Sequence, residues 1–158
     1  MPPDRDQFLD AIRLYPTGVT VVTAMGPNGP SGMTANAVTS LSIDPPMMLA
    51  CLDQGSRTLA SVRAAGEFAI NVLAAGQEEL ARWFSSKEPE AAKWEGVEWS
   101  EHEGIPRLDG ALVWIRCRLH DLLDGGDHAI ATGVVLDVDA HDGDPLIFHR
   151  GVYRDLGG

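Results

Sequence analysis

Two rhythms of hydrophobic positions alternate along the chain. Over residues 6–15, Phe8, Leu9, Ile12 and Tyr15 fall on one face of a 3.6-residue period and Pro16 closes the run, which predicts a short helix. Residues 18–24, GVTVVTA, are β-branched and predict a strand. GPNGPSG (26–32) is turn chemistry throughout. MTANAVTSLSI (33–43) then reads as the return strand of a hairpin, stopped by Pro45-Pro46. MMLACL (47–52) is a continuous apolar run, as expected of a central strand.

DQGSRTLASVRAAG (53–66) reads as a loop and a helix, with Ser56 as N-cap and Gly66 at the C-terminal end. A strand, EFAINVLA (67–74), and a helix, 77–86, follow; Leu80, Trp83 and Phe84 lie on one side of that helix. Residues 87–110 are rich in Gly, Pro and Glu with weak periodicity, and read as a long excursion of the kind that is often functional or flexible. A long strand (111–123), a hairpin partner (126–141) after a turn at Gly125-Gly126, and short segments at 145–149 and 151–156 complete the chain. About seven strands and two or three short helices, joined by tight turns, predict one mainly antiparallel domain over 1–158, a barrel or sandwich.

Length and composition agree with that picture. A chain of 158 residues with 44% hydrophobic content can bury a sizeable core. No apolar run reaches the ~20 residues that span a bilayer, and MPPDRDQFLDAI lacks the apolar core of a secretory leader. The expectation is a cytoplasmic protein with no membrane association. A formal charge of −11 leaves few cations to replace phosphate counterions, which argues against nucleic acid. It also makes the basic residues Arg57, Arg63, Arg82, Lys87, Lys93 and Arg150 informative if the ligand is an anion. Cys51 and Cys117 sit in apolar strand-like runs and read as buried free thiols, without metal spacing. His141-Asp142-Gly143-Asp144 reads as a solvated turn, and no metal site is expected. GxGxxG and GxSxG are absent.

Three places carry candidate chemistry. Thr34, Asn36 and Ser40 share one parity, so on a regular strand they would share a face. Such small side chains either satisfy their own backbone at a strand edge or let a flat ligand approach main-chain N–H and C=O groups. In DQGSRT (53–58), a hydroxyl, a guanidinium and a helix start meet; this is either a capped helix with a surface Arg or an anion site. His128 stands at a strand mouth behind two turn-favouring residues, where it is either structural or a hydrogen-bonding partner for an amide or ring. Together the three suit a planar, phosphate-bearing ligand such as a flavin mononucleotide.

The chain resembles the flavin reductase-like family, the small reductase components of two-component flavin-dependent monooxygenases. The resemblance rests on FLDAIRLYPTGVTVVTA, GMTANAVTSLSIDPPMMLACLDQGSRT, EFAINVLA, ELARWFS, GIPRLDGALVWIRCRL and GDHAIATGVVLDVDAHDGDPLIFHRGVYRDL, in that order, over roughly 8–156. It implies a split β-barrel of Greek-key, FMN-binding type and a homodimer. It further implies an NAD(P)H:flavin oxidoreductase that reduces FMN or FAD and hands it to a monooxygenase. The alternatives are a non-catalytic flavin carrier or sensor, and a deazaflavin-dependent oxidoreductase. By this likeness Thr34, Ala35, Asn36, Ala37 and Ser40 line the isoalloxazine, and Cys51, Leu52 and Asp53 lie along the ring and ribityl chain. Ser56, Arg57 and Thr58 hold the phosphate, with Phe84 and Lys87 beside them. His128 is the catalytic candidate near the nicotinamide, and His149, Arg150 and Tyr153 line that side. No basic cluster marks a 2′-phosphate pocket, which favours NADH over NADPH as hydride donor.

Overall fold

The computed structural model describes residues 1–157. Its elements run α1 (Arg5–Ile12), β1 (Thr17–Gly18), β2 (Thr20–Gly26), β3 (Gly29–Ala35), β4 (Val38–Ile43), β5 (Pro46–Asp53), α2 (Arg57–Ala65) and β6 (Glu67–Val72). They continue with α3 (Glu78–Ser85), α4 (Glu90–Trp94), β7 (Trp99–His102), β8 (Ile105–Leu108), β9 (Val113–Gly125), β10 (His128–Ala140), β11 (Leu146–His149) and β12 (Val152–Asp155). The protein is mainly β with short helices, as expected. The helices number four among the described residues rather than two or three, and five short strands lie outside the seven of the main sheet.

That sheet has the order β3-β2-β6-β9-β10-β5-β4, antiparallel at each pairing. β3 and β4 are neighbours in sequence and opposite edges of the sheet. The chain passes between them through Asn36-Ala37, so the sheet curls until its edges approach, yet no ladder joins them and the barrel stays split. The continuous return strand expected over 33–43 is therefore two strands in different places. The turn expected over 26–32 is only Pro27-Asn28, because β3 starts at Gly29. Pro30 is tolerated there because β3 is an edge and its missing N–H breaks no ladder.

Inside the curl, Val22, Ala24, Ala35, Ala50, Leu52, Phe68, Ile70, Cys117, Ala129 and Ala131 pack with Leu59 and Val62 of α2. At roughly 1.5–3 kcal/mol for each large side chain buried, this core is the main stabiliser of the curl. Gly133 lets two layers close, since a Cβ there would stand 2.7 Å from the Cys117 Cβ and 2.8 Å from the Phe68 ring. A second cluster, on the other side, holds Val19, Val21, Leu73, Ala81, Phe84, Trp94, Leu108 and Leu146. There Gly32 allows the contact, because a Cβ on it would meet the Phe84 ring at 2.8 Å.

The excursion 87–110 is ordered structure. α4 packs on β3, and β7 and β8 form a hairpin turning on Glu103-Gly104, both with positive φ, as a type I′ turn requires. Asn71, fully buried, fastens this hairpin. Its Nδ2 donates to Val21 O and Thr23 Oγ1, each at 3.1 Å, and its Oδ1 accepts from Leu108 N at 3.0 Å. β1, β11 and β12 make a separate three-stranded sheet.

Candidate active site

α2 forms where the sequence predicts. Ser56 is extended and its Oγ accepts from Leu59 N at 3.1 Å, while Gly66 ends the helix in the left-handed region at φ 71. The cap leaves other first-turn N–H groups without helical partners, and the helix dipole makes that end attractive to anions. β5 delivers Asp53 to the same place; its Oδ1 accepts from Gly55 N at 2.9 Å and shapes the 53–56 turn.

The α2 N-terminus opens into a cleft of about 610 Å3 lined by Gly32, Met33, Thr34, Asp53, Gly55, Ser56, Arg57, Thr58, Phe84, Ser85, Ser86, Lys87, Glu90 and Lys93. Six of the expected residues apart from Asp53 thus meet here: Thr34, Ser56, Arg57, Thr58, Phe84 and Lys87. The cleft holds three cations against two carboxylates, in a chain whose formal charge is −11. Its polarity is therefore the reverse of the protein's. Thr34 Oγ1 donates to Ala81 O at 2.5 Å, so this hydroxyl braces α3 against β3 rather than facing the cleft as a free donor. Ser86 Oγ is buried without a partner in the cleft wall.

A second cleft of about 580 Å3 is lined by Ile12, Tyr15, Pro16, Thr17, Gly18, Thr20, Asn36, Ala37, Val38, Thr39, Leu49 and Cys51. Its walls come from the break between β3 and β4 and from the chain that follows α1. Thr34 and Asn36 lie two residues apart along one edge, Asp53 and Cys51 two apart along β5, and each pair contributes one residue to each cleft. Asn36 Oδ1 and Thr17 Oγ1 are both buried without partners there. In a folded protein such orphans mark places where a polar group from outside can be accepted.

The expected single face for Thr34, Asn36 and Ser40 does not exist, because the strand breaks at Asn36-Ala37 and the β4–β5 register slips between Ser40 and Ser42. Ser40 is exposed and lines neither cleft. The side chains of Ala35 and Leu52 are buried in the core, which leaves only their main chain for any ligand. Cys51 is partly buried, whereas Cys117 is fully enclosed and burial pushes its thiol up to about 12. The expectation of two buried thiols thus holds for Cys117 only.

His128 begins β10 and is the cross-strand partner of Asp53. Side chains of such a pair share a face, so the ring stands beside a residue of the larger cleft. Its Nδ1 lies 2.7 Å from Asp127 Oδ1. The hydrogen bond from His128 and its charge hold the Asp127 carboxyl below its ordinary range. An ionised carboxylate only accepts, so Nδ1 carries the proton and Nε2 is left free. Gln54 supports this end of the strand, its Nε2 donating to His128 O at 3.0 Å and its N–H to Asp127 O at 3.0 Å.

His149, Arg150 and Tyr153 lie on the small sheet and line neither cleft. The small sheet reaches the second cleft through β1, whose Thr17 lines that cleft and pairs with Phe148 in the ladder. Arg150 holds a left-handed φ of 55 before Gly151, and its N–H donates to Arg13 O at 3.0 Å. Tyr153 packs on Phe148 with Arg82 5.3 Å above its ring, and burial raises its hydroxyl pKa.

Two cleft residues carry more than the sequence suggested. Lys93 was notable only as one of few cations; α4 buries it, and its Nζ stands 3.6 Å from Glu90 Oε1. The Glu90–Lys93 spacing of three residues is the one local signal for that pair. Among the described residues no group of three His, Cys, Asp or Glu is gathered as a metal would need, and no helix is long and apolar enough to cross a membrane.

The family model for the flavin reductase like domain matches residues 12–157. The reductase component of a 4-nitrophenol 4-monooxygenase/4-nitrocatechol 2-monooxygenase from Rhodococcus opacus is 40% identical over 150 residues, covering 95% of this chain and 80% of that protein. An FMN reductase (NADH) from Agrobacterium fabrum is 39% identical over 147 residues, covering 92% and 83%. The structure of an NADH:FAD oxidoreductase from Streptomyces globisporus, in complex with NAD and FAD fragments, superposes with a TM-score of 0.90 at 37% identity, covering 98% and 93%.

Proposed function

This chain belongs to the flavin reductase-like family, and from that premise we propose that it is an NADH-dependent flavin reductase supplying reduced FMN or FAD to a partner monooxygenase. The observation that carries the site is the larger cleft: an electropositive hollow at a helix N-terminus in an acidic protein. Its donor set fits a phosphate: α2 brings its first-turn N–H groups and the Arg57 fork, and the segment after α3 brings Lys87. The orphaned Asn36 Oδ1 in the second cleft fits an N–H donor of a planar ring.

A bound flavin would supply the redox chemistry, as acceptor of a hydride from the nicotinamide. The residues of this chain do the rest. Ser56, Arg57, Thr58 and Lys87 tether the phosphate. Thr34, Asn36, Ala37, Cys51 and Asp53 border the hollow that takes the ring and ribityl chain, with main-chain groups of Ala35 and Leu52 at their backs. Phe84 closes the wall against water. Holding two reactants face to face removes most of the entropic barrier, so positioning is the main catalytic contribution asked of the protein. His128 presents Nε2 beside Asp53 with its other nitrogen tied to Asp127, a polar contact for the incoming nicotinamide amide.

His149, Arg150 and Tyr153 line the nicotinamide side in this reading. In one protomer they line neither cleft, and a homodimer brings the two sides together. Ser40, exposed on edge strand β4, lies at the outer margin of the ring site. NADH is favoured because the cations gathered in the larger cleft are taken by the flavin phosphate and the sequence marks no second basic cluster for a 2′-phosphate.

The test is NADH oxidation by the purified protein with FMN or FAD added, followed anaerobically by bleaching of the visible absorbance of the oxidised flavin. Flavin that binds yet stays oxidised under NADH and NADPH would leave a carrier, not a reductase. Bleaching of a deazaflavin alone would move the protein to a different cofactor class.

A further inference from the structure

The cation cluster of the larger cleft is already in use. Glu90, in the first turn of α4, places Oε1 3.4 Å from Arg57 Nε and 3.6 Å from Lys93 Nζ, while Oε2 accepts from Gly32 N at 3.1 Å. Arg57 Nη2 donates to Glu88 O at 2.6 Å. Both contacts of the guanidinium therefore come from one short stretch, 88–90. Lys93 has a side chain only 4% exposed, with Phe84 O at 3.4 Å as its other contact. An ammonium with three donors and two long contacts is short of partners, and a carboxylate that answers it cannot be absent without leaving a buried charge.

We propose that Glu90 is a resident counter-anion which sets how tightly, and for how long, this cleft holds a phosphate monoester. The inference rests on the flavin reading above and adds a determinant of exchange to it. An arriving phosphate meets Arg57 with its fork turned to Glu88 and Glu90, and meets the Glu90 charge within the same hollow. It must either draw Arg57 away from α4 or accept a like charge as neighbour. Both lower affinity for the phosphorylated ligand and leave affinity for the ring untouched. A ligand that has to be surrendered after every turnover is well matched by a site whose strongest cation has an alternative anion built in.

The contrast between FMN and riboflavin, which differ by the phosphate alone, reads this directly. Kd values for both are measured by quenching of flavin fluorescence, in the parent protein and in Glu90→Gln, whose amide still accepts from Gly32 N–H. The expected result is an FMN Kd lower by about 3- to 10-fold, with slower FMN dissociation and an unchanged riboflavin Kd. An FMN Kd that is unchanged or raised, or a shift shared equally by riboflavin, overturns the proposal. Should Lys93 left without its counter-charge prevent Glu90→Gln from folding, Glu90→Asp decides: it keeps a carboxylate on α4 to answer Lys93 while drawing the charge back from the cleft by one methylene. An FMN-to-riboflavin ratio equal to the parent's in that variant overturns it equally. A parent protein that binds neither flavin rejects the functional reading itself, and this inference falls with it.

Discussion

Asp53 and His128 are partners across the β5–β10 ladder, so the last residue of one strand and the first of the other present their side chains together at the rim of the larger cleft. The pairing puts a residue expected at the ribityl chain beside one expected at the nicotinamide. It is the closest link between the two halves of the proposed reaction that one protomer contains.

Replacing His128 tests that link. His128→Ala is expected to slow flavin reduction by on the order of 10- to 100-fold, at or below the lower end of what a full proton-transfer catalyst supplies, with flavin Kd nearly unchanged. Stopped-flow bleaching of bound flavin after mixing with NADH measures it; an unaltered rate removes His128 from the mechanism.

Asp127 gives the pH arm of the same test. Hydrogen bonding from His128 lowers its carboxyl below 3.8, so the carboxylate that fixes Nδ1–H is present above that value and is lost only as pH falls through the lowered pKa. The Asp127 side of the contact is therefore ionised throughout the neutral range. Asp127→Asn, whose amide can donate to Nδ1 and free Nε2 to carry the proton, is expected to alter the rate at pH 7 without altering flavin affinity. A rate identical to the parent's at every pH would show that the tautomer does not matter.

Arg57→Ala is expected to weaken FMN binding by about 10-fold at low salt and riboflavin binding hardly at all, since a charge-assisted contact is worth roughly 1.5 kcal/mol or more. The difference should shrink as ionic strength rises, because the site is half open and screened. Fluorescence titration at two salt concentrations checks it, and equal affinities for FMN and riboflavin in the parent would remove the phosphate site.

The two cysteines should separate cleanly. Cys51 is partly exposed and is expected to react with a thiol reagent in the folded protein, whereas Cys117 should react only on unfolding. Burial raises the Cys117 pKa from 9.0 to about 12. The neutral thiol therefore supports the fold fully below pH 9, and that support is lost as pH rises toward 12. Urea midpoints of the parent and of Cys117→Ser, measured across that interval, should converge as the alkaline penalty in the parent grows.

Asn71→Ala removes three buried hydrogen bonds at once, to Val21 O, Thr23 Oγ1 and Leu108 N, of which Thr23 Oγ1 keeps another partner, Pro106 O. A loss of about 2–4 kcal/mol is expected, read as a lower urea midpoint. The β7–β8 hairpin should lose amide-exchange protection first, because Asn71 Oδ1 is the acceptor for its Leu108 N–H.

What could be read from the chain was whatever local chemistry decides. α2 is capped at Ser56 and stops at Gly66 because a cap and a left-handed residue act over one turn, and that fixed in advance where the helix start would stand. The β9–β10 hairpin was equally visible, in alternating residues on both sides of a Gly turn. What was missed was decided at a distance. Residues 29–32 look like turn sequence because they contain Pro30 and Gly32, yet Pro30 is harmless at an edge and Gly32 answers to the Phe84 ring across the gap. Lys93 reads only as one of few cations until α4 folds over β3 and encloses it. The parity of Thr34, Asn36 and Ser40 failed because the sheet reverses edges in their midst, an event with no local signature.

A cylinder that sealed itself would have sewn β3 to β4 and used up every amide along both. This one leaves the stitch open at Asn36-Ala37, and the same unsewn selvedge that makes room for a guest is also where a stray extended segment could pair. Substitutions that tighten the seam should harden the protein against clumping and, in equal measure, blind it to its ligand.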